Sequence, residues 1–206
     1  MTLPAAEQDA AVEAVFPLAG KSLPRDHAQA LQHALTLQIP WLHEDAGAGI
    51  HPVKLVAGPE SVALLSQRTR LILRVHANRL AELQALDGVQ LDVMAHPLRL
   101  GAVHLRELQP HATLYAYRVA AGSSDESVFM QAMETELAGM AIAGVRVCGK
   151  CQSLRVDGQE MTTFSMMLHG LGPEQSLRLQ QHGLGPHRLL GCGLFVPHKS
   201  AAAVGV

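Results

Sequence analysis

The chain has 206 residues and few aromatics: one Trp, two Tyr and four Phe, 3% in all. Its core must therefore be aliphatic, built from Leu, Val, Ala and Met. No run of about 18 apolar residues occurs, so no membrane span is expected. The opening residues, M-T-L-P-A-A-E-Q-D-A, hold neither a basic start nor an apolar stretch, and no secretory signal is expected there. Cysteine is scarce and odd in number, with Cys148, Cys151 and Cys192. Together these features point to reduced thiols and a cytoplasmic location. Phosphate-loop, G-x-S-x-G, H-E-x-x-H and paired-Asp metal motifs are all missing. Basic charge is short as well: 16 Lys and Arg face 18 Asp and Glu, a net charge of -2. That balance counts against a strong nonspecific nucleic-acid binder.

What is present reads as globular. Hydrophobic residues make up 48% of the chain and charged residues 17%, enough for one sizeable core or two small ones. Charge is uneven along the chain. Residues 1–50 carry two basic side chains, Lys21 and Arg25, against six acidic ones. From Arg146 onward six basic residues (Arg146, Lys150, Arg155, Arg178, Arg188, Lys199) outnumber three acidic ones (Asp157, Glu160, Glu174). The far half can thus present a positive face while the whole stays near neutral.

Periodicity gives an element order. Ala11–Leu18 alternates as a strand. Pro24 sits where a first helical residue favours proline, and apolar spacing carries that helix to Gln38, where Pro40 ends it. Gly49–Val56 reads as an edge strand because of Pro52, followed by a short helical or irregular piece at 59–65 and a strand at Thr69–Val75. Asn78 caps a helix over Arg79–Leu86, Val89–Val93 is a fourth strand, and His96–Leu105 continues it as a hairpin. The order then recurs. Thr113–Ala120 is a strand, Asp125 a helix cap, and Ser127–Ala143 a helix with Phe129, Met133, Leu137 and Met140 on one stripe. Strands at Gly144–Val147 and Ser153–Val156 flank the pair Cys148 and Cys151. Asp157-Gly158 turns tightly into a strand at Glu160–Leu168, and Pro173–Gln181 is a helix ended by Gly183. The fold class expected is α+β: tandem ferredoxin-like, RRM-like βαββαβ units, divided as residues 1–108 and 109–206 near Gln109-Pro110.

Four sets of residues carry candidate chemistry. Gly183–Pro197 reads G-L-G-P-H-R-L-L-G-C-G-L-F-V-P, with Gly183/Gly185 and Gly191/Gly193 bracketing Arg188. Such a loop can offer N–H groups and a cation to a phosphate backbone; it can equally be a helix end, a turn and a glycine-softened strand. His27 opens the first helix, where the helix dipole disfavours imidazolium and the N–H groups attract phosphate. His51 in the second strand, or His33 on another face of the helix, are further histidines that could join it. Cys148-x-x-Cys151 has the spacing of half a zinc ribbon but no second pair, and these thiols read as structural. His111-Ala-Thr and His198-Lys-Ser are both His-x-Thr/Ser, the pattern of two-histidine phosphoesterases.

Taken together, F-P-L-A-G-K-S-L-P-R-D-H-A-Q-A-L, P-W-L-H…G-I-H-P-V, H-A-T-L-Y-A-Y and the glycine-rich stretch resemble one family. It is the repeat-cleaving endoribonucleases of CRISPR systems, in the short form of myxobacterial-type loci, matched over about residues 12–197. The resemblance implies metal-independent cutting within the repeats of CRISPR precursor RNA, without a cofactor. A ribose 2′-hydroxyl attacks the adjacent phosphodiester and leaves a 2′,3′-cyclic phosphate and a 5′-hydroxyl. The family's base is a His in or before the first helix, best matched by His27, with His51 as a second candidate. Lys21 and Arg25 lie beside it, while Lys150, Arg155, Arg188 and Lys199 with the four glycines would grip RNA. A CRISPR effector complex is a further partner the resemblance implies, and a repeat-binding module without catalysis is the alternative.

Overall fold

The computed structural model describes residues 10–58 and 62–198. The chain divides into two units, Met1–Glu107 and Leu108–Val206.

In the first unit the main elements are β1 (Ala11–Ala19), β2 (Ser22–Pro24), α1 (Ala28–Gln38), β3 (Gly49–Ile50), β4 (Val56–Ala57) and β5 (Val62–Leu64). After them come β6 (Arg70–His76), α2 (Leu80–Gln84), β7 (Gln90–Val93), β8 (His96–Leu100) and β9 (His104–Glu107). β1 pairs antiparallel with both β6 and β9, and β6 pairs with β3. The path β9-β1-β6-β3 places the fourth, first, third and second strands of a βαββαβ unit side by side, as the ferredoxin-like arrangement requires. The β7–β8 hairpin joins the same sheet through Leu18 and Ala19, and β2, β5 and β4 form a small sheet of three strands. Val12, Ala14 and Phe16 of β1 and Leu71, Leu73 and Val75 of β6 are buried, as are Leu31 and Leu35 of α1 and Leu83 of α2. Apart from Phe16 these core residues are aliphatic, in keeping with the composition.

The second unit repeats the topology in simpler form. Its elements are β10 (Thr113–Ala120), α3 (Glu126–Gly139), β11 (Val145–Val156), β12 (Gln159–His169), α4 (Pro173–His182) and β13 (Val196–Pro197). The sheet order is β11-β12-β10-β13, again second, third, first, fourth. Asp125 caps α3, its carboxylate accepting from the N–H groups of Ser127 and Val128, which satisfies two donors the helix start leaves open. Phe129, Met133 and Leu137 face the core with Leu114, Phe164, Met166 and Phe195. Asp157 and Gly158 have φ of 51° and 77°, the left-handed pair that matches hairpin twist.

Several sequence expectations are corrected. Pro24 lies in β2, and α1 starts four residues later at Ala28. The predicted strand Gly49–Val56 breaks at His51-Pro52 into the short β3 and β4, because proline lacks the N–H that would extend the ladder. Val62–Leu64 is a strand, and 59–61 lie outside the described residues. Asn78 is in a 3₁₀ turn, with Arg79 at the N-cap of α2. The strand beside β1 that completes the first unit is His104–Glu107, not Val89–Val93. Cys148 and Cys151 do not separate two strands: β11 runs through them, with a one-residue register shift between them. Such a β-bulge keeps a strand continuous while one residue goes unpaired. Gly149 sits inside this bulge, where a Cβ would lie 2.5 Å from Ser165 Oγ.

Candidate functional site

His27 occupies the N-cap of α1 and its carbonyl accepts the first helical bond, from Leu31 N at 2.8 Å. It is half-buried. Its ring turns back instead of capping the helix, with Nδ1 2.8 Å from the Pro24 carbonyl oxygen. A carbonyl only accepts, so Nδ1 carries the proton. In the neutral imidazole the lone pair then lies on Nε2, which is the atom that takes up a proton. The fixed ring and the adjacent helix start together suit proton abstraction next to an anion.

The same segment supplies charge. Lys21 and Arg25 are both exposed, and Arg25 Nη2 donates to the Gly58 carbonyl at 3.0 Å. Ser22, between them, is hydrogen-bonded to His96 Nδ1 at 2.9 Å. This brings a second half-buried imidazole to the segment. Sequence reasoning missed it, because 74 residues separate the partners and His96 lies in no recognisable motif.

His51 is in a different setting. It is buried, with Nε2 3.4 Å from Glu13 Oε1. Glu13 also receives a bond from Arg74 Nη2 at 2.7 Å and from the Nε and Nη2 of Arg106. Burial alone would raise the Glu13 carboxyl, but His51, Arg74 and Arg106 outweigh it and hold the carboxyl below the usual 4.5. Burial pushes the Arg74 guanidinium down, against the pull of Glu13. His51 thus belongs to a buried ionic row, a place suited to holding structure and not to reaching a substrate. His33 is exposed on α1.

The glycine-rich stretch is corrected most. Its glycine N–H groups are occupied within the protein: Gly183 N bonds to Leu179 O at 2.8 Å, Gly191 N to Arg188 O at 3.1 Å, and Gly193 N to Arg118 O at 2.7 Å. Gly185 N donates to the Glu136 carboxylate at 2.8 Å. They are therefore not offered to a phosphate. What the glycines permit is close passage of two chain segments. Leu184 N donates to Gly193 O, and a Cβ on Gly193 would lie 2.0 Å from Leu184 O while one on Gly183 would lie 2.4 Å from Gly193 O. Arg188 is buried, and its Nη1 donates to the His182 carbonyl at the end of α4. It closes a helix C-terminus, the position where cations complement exposed carbonyls. The helix end and the turn anticipated as the plainer alternative are both present, at Gly183 and at Arg188–Leu190. His187, with φ 67°, turns the chain into the 3₁₀ turn Arg188–Leu190.

Two further candidate cations of this unit, Lys150 and Arg155, lie on β11. Lys150 is exposed, its backbone N–H donating to Ser165 Oγ at 2.9 Å. Arg155 is exposed and directly opposite Glu160, a cross-strand pair that tempers its charge. Lys199 lies outside the described residues. Cys192 is fully buried, and burial pushes its thiol up to about 11, so it is inert. Among the described residues no group of three His, Cys, Asp or Glu is placed to hold a metal, and no helix is long and apolar enough to cross a membrane. His198 pairs beside Thr113 and its ring packs on Tyr115, 5.5 Å between centroids. The rest of its His-x-Ser motif lies outside the described residues.

Comparison with known proteins fits this frame. The model of the family described as Cas6 Crispr matches residues 12–200. The CRISPR-associated endonuclease Cas6 of Myxococcus xanthus is 34% identical over 194 residues, covering 94% of this chain and 84% of the relative. A solved CRISPR associated protein Cas6 superposes with a TM-score of 0.69 at 11% identity, over 92% of this chain and 100% of that one. A Cas6-related protein from Pyrococcus furiosus gives 0.57 at 10% identity, over 91% and 98%. Cse3 of Thermus thermophilus, solved bound to an RNA representing a pre-cleavage complex, gives 0.53 at 13%, over 91% and 98%. At these identities the structural likeness speaks for the shared tandem fold.

Proposed function

The chain belongs to the Cas6 family of CRISPR-associated proteins, and from that premise we propose that it cuts CRISPR precursor RNA within its repeats without a metal ion. The observation that carries the reading is the His27 ring, fixed through Nδ1 on the Pro24 carbonyl, which puts the lone pair of the neutral ring on Nε2. In the reaction His27 Nε2 takes the proton of a ribose 2′-hydroxyl. The O2′ attacks the neighbouring phosphorus, the bond from phosphorus to the 5′ oxygen breaks, that oxygen takes a proton from water, and the His27 imidazolium returns its proton to solvent. The products are a 2′,3′-cyclic phosphate and a 5′-hydroxyl. Positioned acid–base groups of this kind contribute about 10²- to 10⁴-fold.

Lys21 and Arg25 lie within six residues of His27 and supply positive charge where the phosphorane gains negative charge. Lys150 and Arg155 serve as backbone contacts on the second unit. Arg188 and the four glycines serve indirectly, by shaping that unit. His51 holds the Glu13 row in place. The few cations involved match a binding mode that reads RNA shape and a few bases. Handing the product to an effector complex would follow cleavage.

The test is incubation of the protein, in EDTA, with RNA carrying the CRISPR repeat encoded beside its gene. The expected result is a single cut whose upstream product ends in a cyclic phosphate. Binding and protection without any product would instead identify a non-catalytic repeat-binding module. Cutting that stops in EDTA would remove the metal-independent mechanism.

A further inference from the structure

One row across the first sheet is over-supplied with positive charge. Glu13 of β1 stands opposite Arg74 of β6 on one side and Arg106 of β9 on the other. These three side chains therefore share one face of the sheet, the face opposite Ala14, Leu73 and the aliphatic core. Arg74 is fully buried and already gives Glu13 a full counter-charge at 2.7 Å. Arg106 is a second guanidinium on the same carboxylate, which leaves the row one positive charge in excess even with His51 neutral. That excess sits at the solvent end, because the Arg106 side chain is 60% exposed while Glu13 is 6% exposed.

The geometry of the pair directs it. Arg106 bonds to Glu13 Oε2 through Nε and Nη2, so one edge of the planar guanidinium faces the carboxylate. The Nη1 side points away, and no described residue is bonded to it. Its neighbour on the same face of β9 is His104, also exposed. A guanidinium clamped along one edge has lost its rotamer freedom before binding, and its other edge matches the oxygen pair of a phosphodiester.

We propose that Arg106, oriented by Glu13, is an RNA-phosphate contact of the first unit. This inference rests on the reading of the chain as a repeat-RNA enzyme. Arg106 is a binding residue and Glu13 its positioning residue. Nothing in the local sequence marks Arg106, because the carboxylate that orients it is 93 residues away.

The experiment uses full-length His27→Ala protein, which holds RNA uncut, and measures affinity for repeat RNA across a salt series. Arg106→Ala, Arg106→Lys and Arg68→Ala are added singly; Arg68 is an exposed arginine outside the row. Arg106→Ala is expected to weaken binding by about five- to tenfold and to lower the salt slope by about one. Arg106→Lys keeps the charge and loses the fork, so it should restore the slope and only part of the affinity. An Arg106→Ala effect no larger than that of Arg68→Ala, or affinity loss with an unchanged salt slope, overturns the proposal. If the His27→Ala parent itself binds no repeat RNA, the functional reading fails and takes this contact with it. If the parent binds and Arg106→Ala matches it, this contact alone is refuted.

Discussion

The two units share one strand order and spend their unusual residues differently. The first carries a ring fixed at a helix start and a row of charges, Arg74, Glu13 and Arg106, that runs from a buried guanidinium to an exposed one. The second carries close backbone crossings at Gly183 and Gly193 and a buried arginine on a helix end. One unit stores electrostatic potential and the other stores shape. The lesson is that a conspicuous motif and a chemically able site need not coincide. The glycines catch the eye, yet their N–H groups are all consumed internally. His27 shows only a helix-start position in the sequence, and the Pro24 carbonyl is what fixes the tautomer of its ring.

The contrast can be broken in order of expected effect. Glu13→Ala strands a buried guanidinium and should cost about 3–5 kcal/mol in chemical denaturation. The pH sign follows from the lowered carboxyl. Its stabilisation is present above the ordinary value of 4.5 and is lost as pH falls from there through the folded-state value. Wild type should therefore lose more stability than Glu13→Gln between pH 5 and its acid transition. Gly193→Ala places a methyl 2.0 Å from Leu184 O at positive φ and should cost about 3 kcal/mol. Arg188→Ala removes a buried bond to the His182 carbonyl and should cost about 2 kcal/mol in melting experiments. The folded variant should keep its RNA affinity within about twofold, since Arg188 is buried. Tenfold weaker binding with an unchanged melt would return that residue to the RNA surface. Smallest is Lys150→Ala, expected to weaken RNA binding about threefold and lower the salt slope by about 0.7–0.9.

Much of the fold was legible because its signals are local. Alternation gave β1, β6 and β10, the Phe129–Met133–Leu137 stripe gave α3, Asp125 gave its cap, and Asp157-Gly158 gave the hairpin. The misplacements occur where tertiary pairing decides. β9 is four residues, and only its register with Val12–Val15 makes it the completing strand. Gly49–Val56 looked continuous until Pro52 removed a ladder donor. The site was legible in part. His27 stood out through its helix-start position, but the tautomer depends on the Pro24 carbonyl, which no periodicity reveals. Arg106 and His96 were invisible because Glu13 and Ser22 are far from them in the chain. The buried setting of Arg188 was not legible because the sequence shows a cation and not the carbonyl that captures it.

The central claim is that chemistry resides on His27 in the first unit. The most direct measurement is the single-turnover cutting rate of His27→Ala on repeat RNA, with affinity measured on the same preparation. The account predicts a rate lower by about 10²- to 10⁴-fold with affinity within about threefold of wild type. Cutting at the wild-type rate would contradict it.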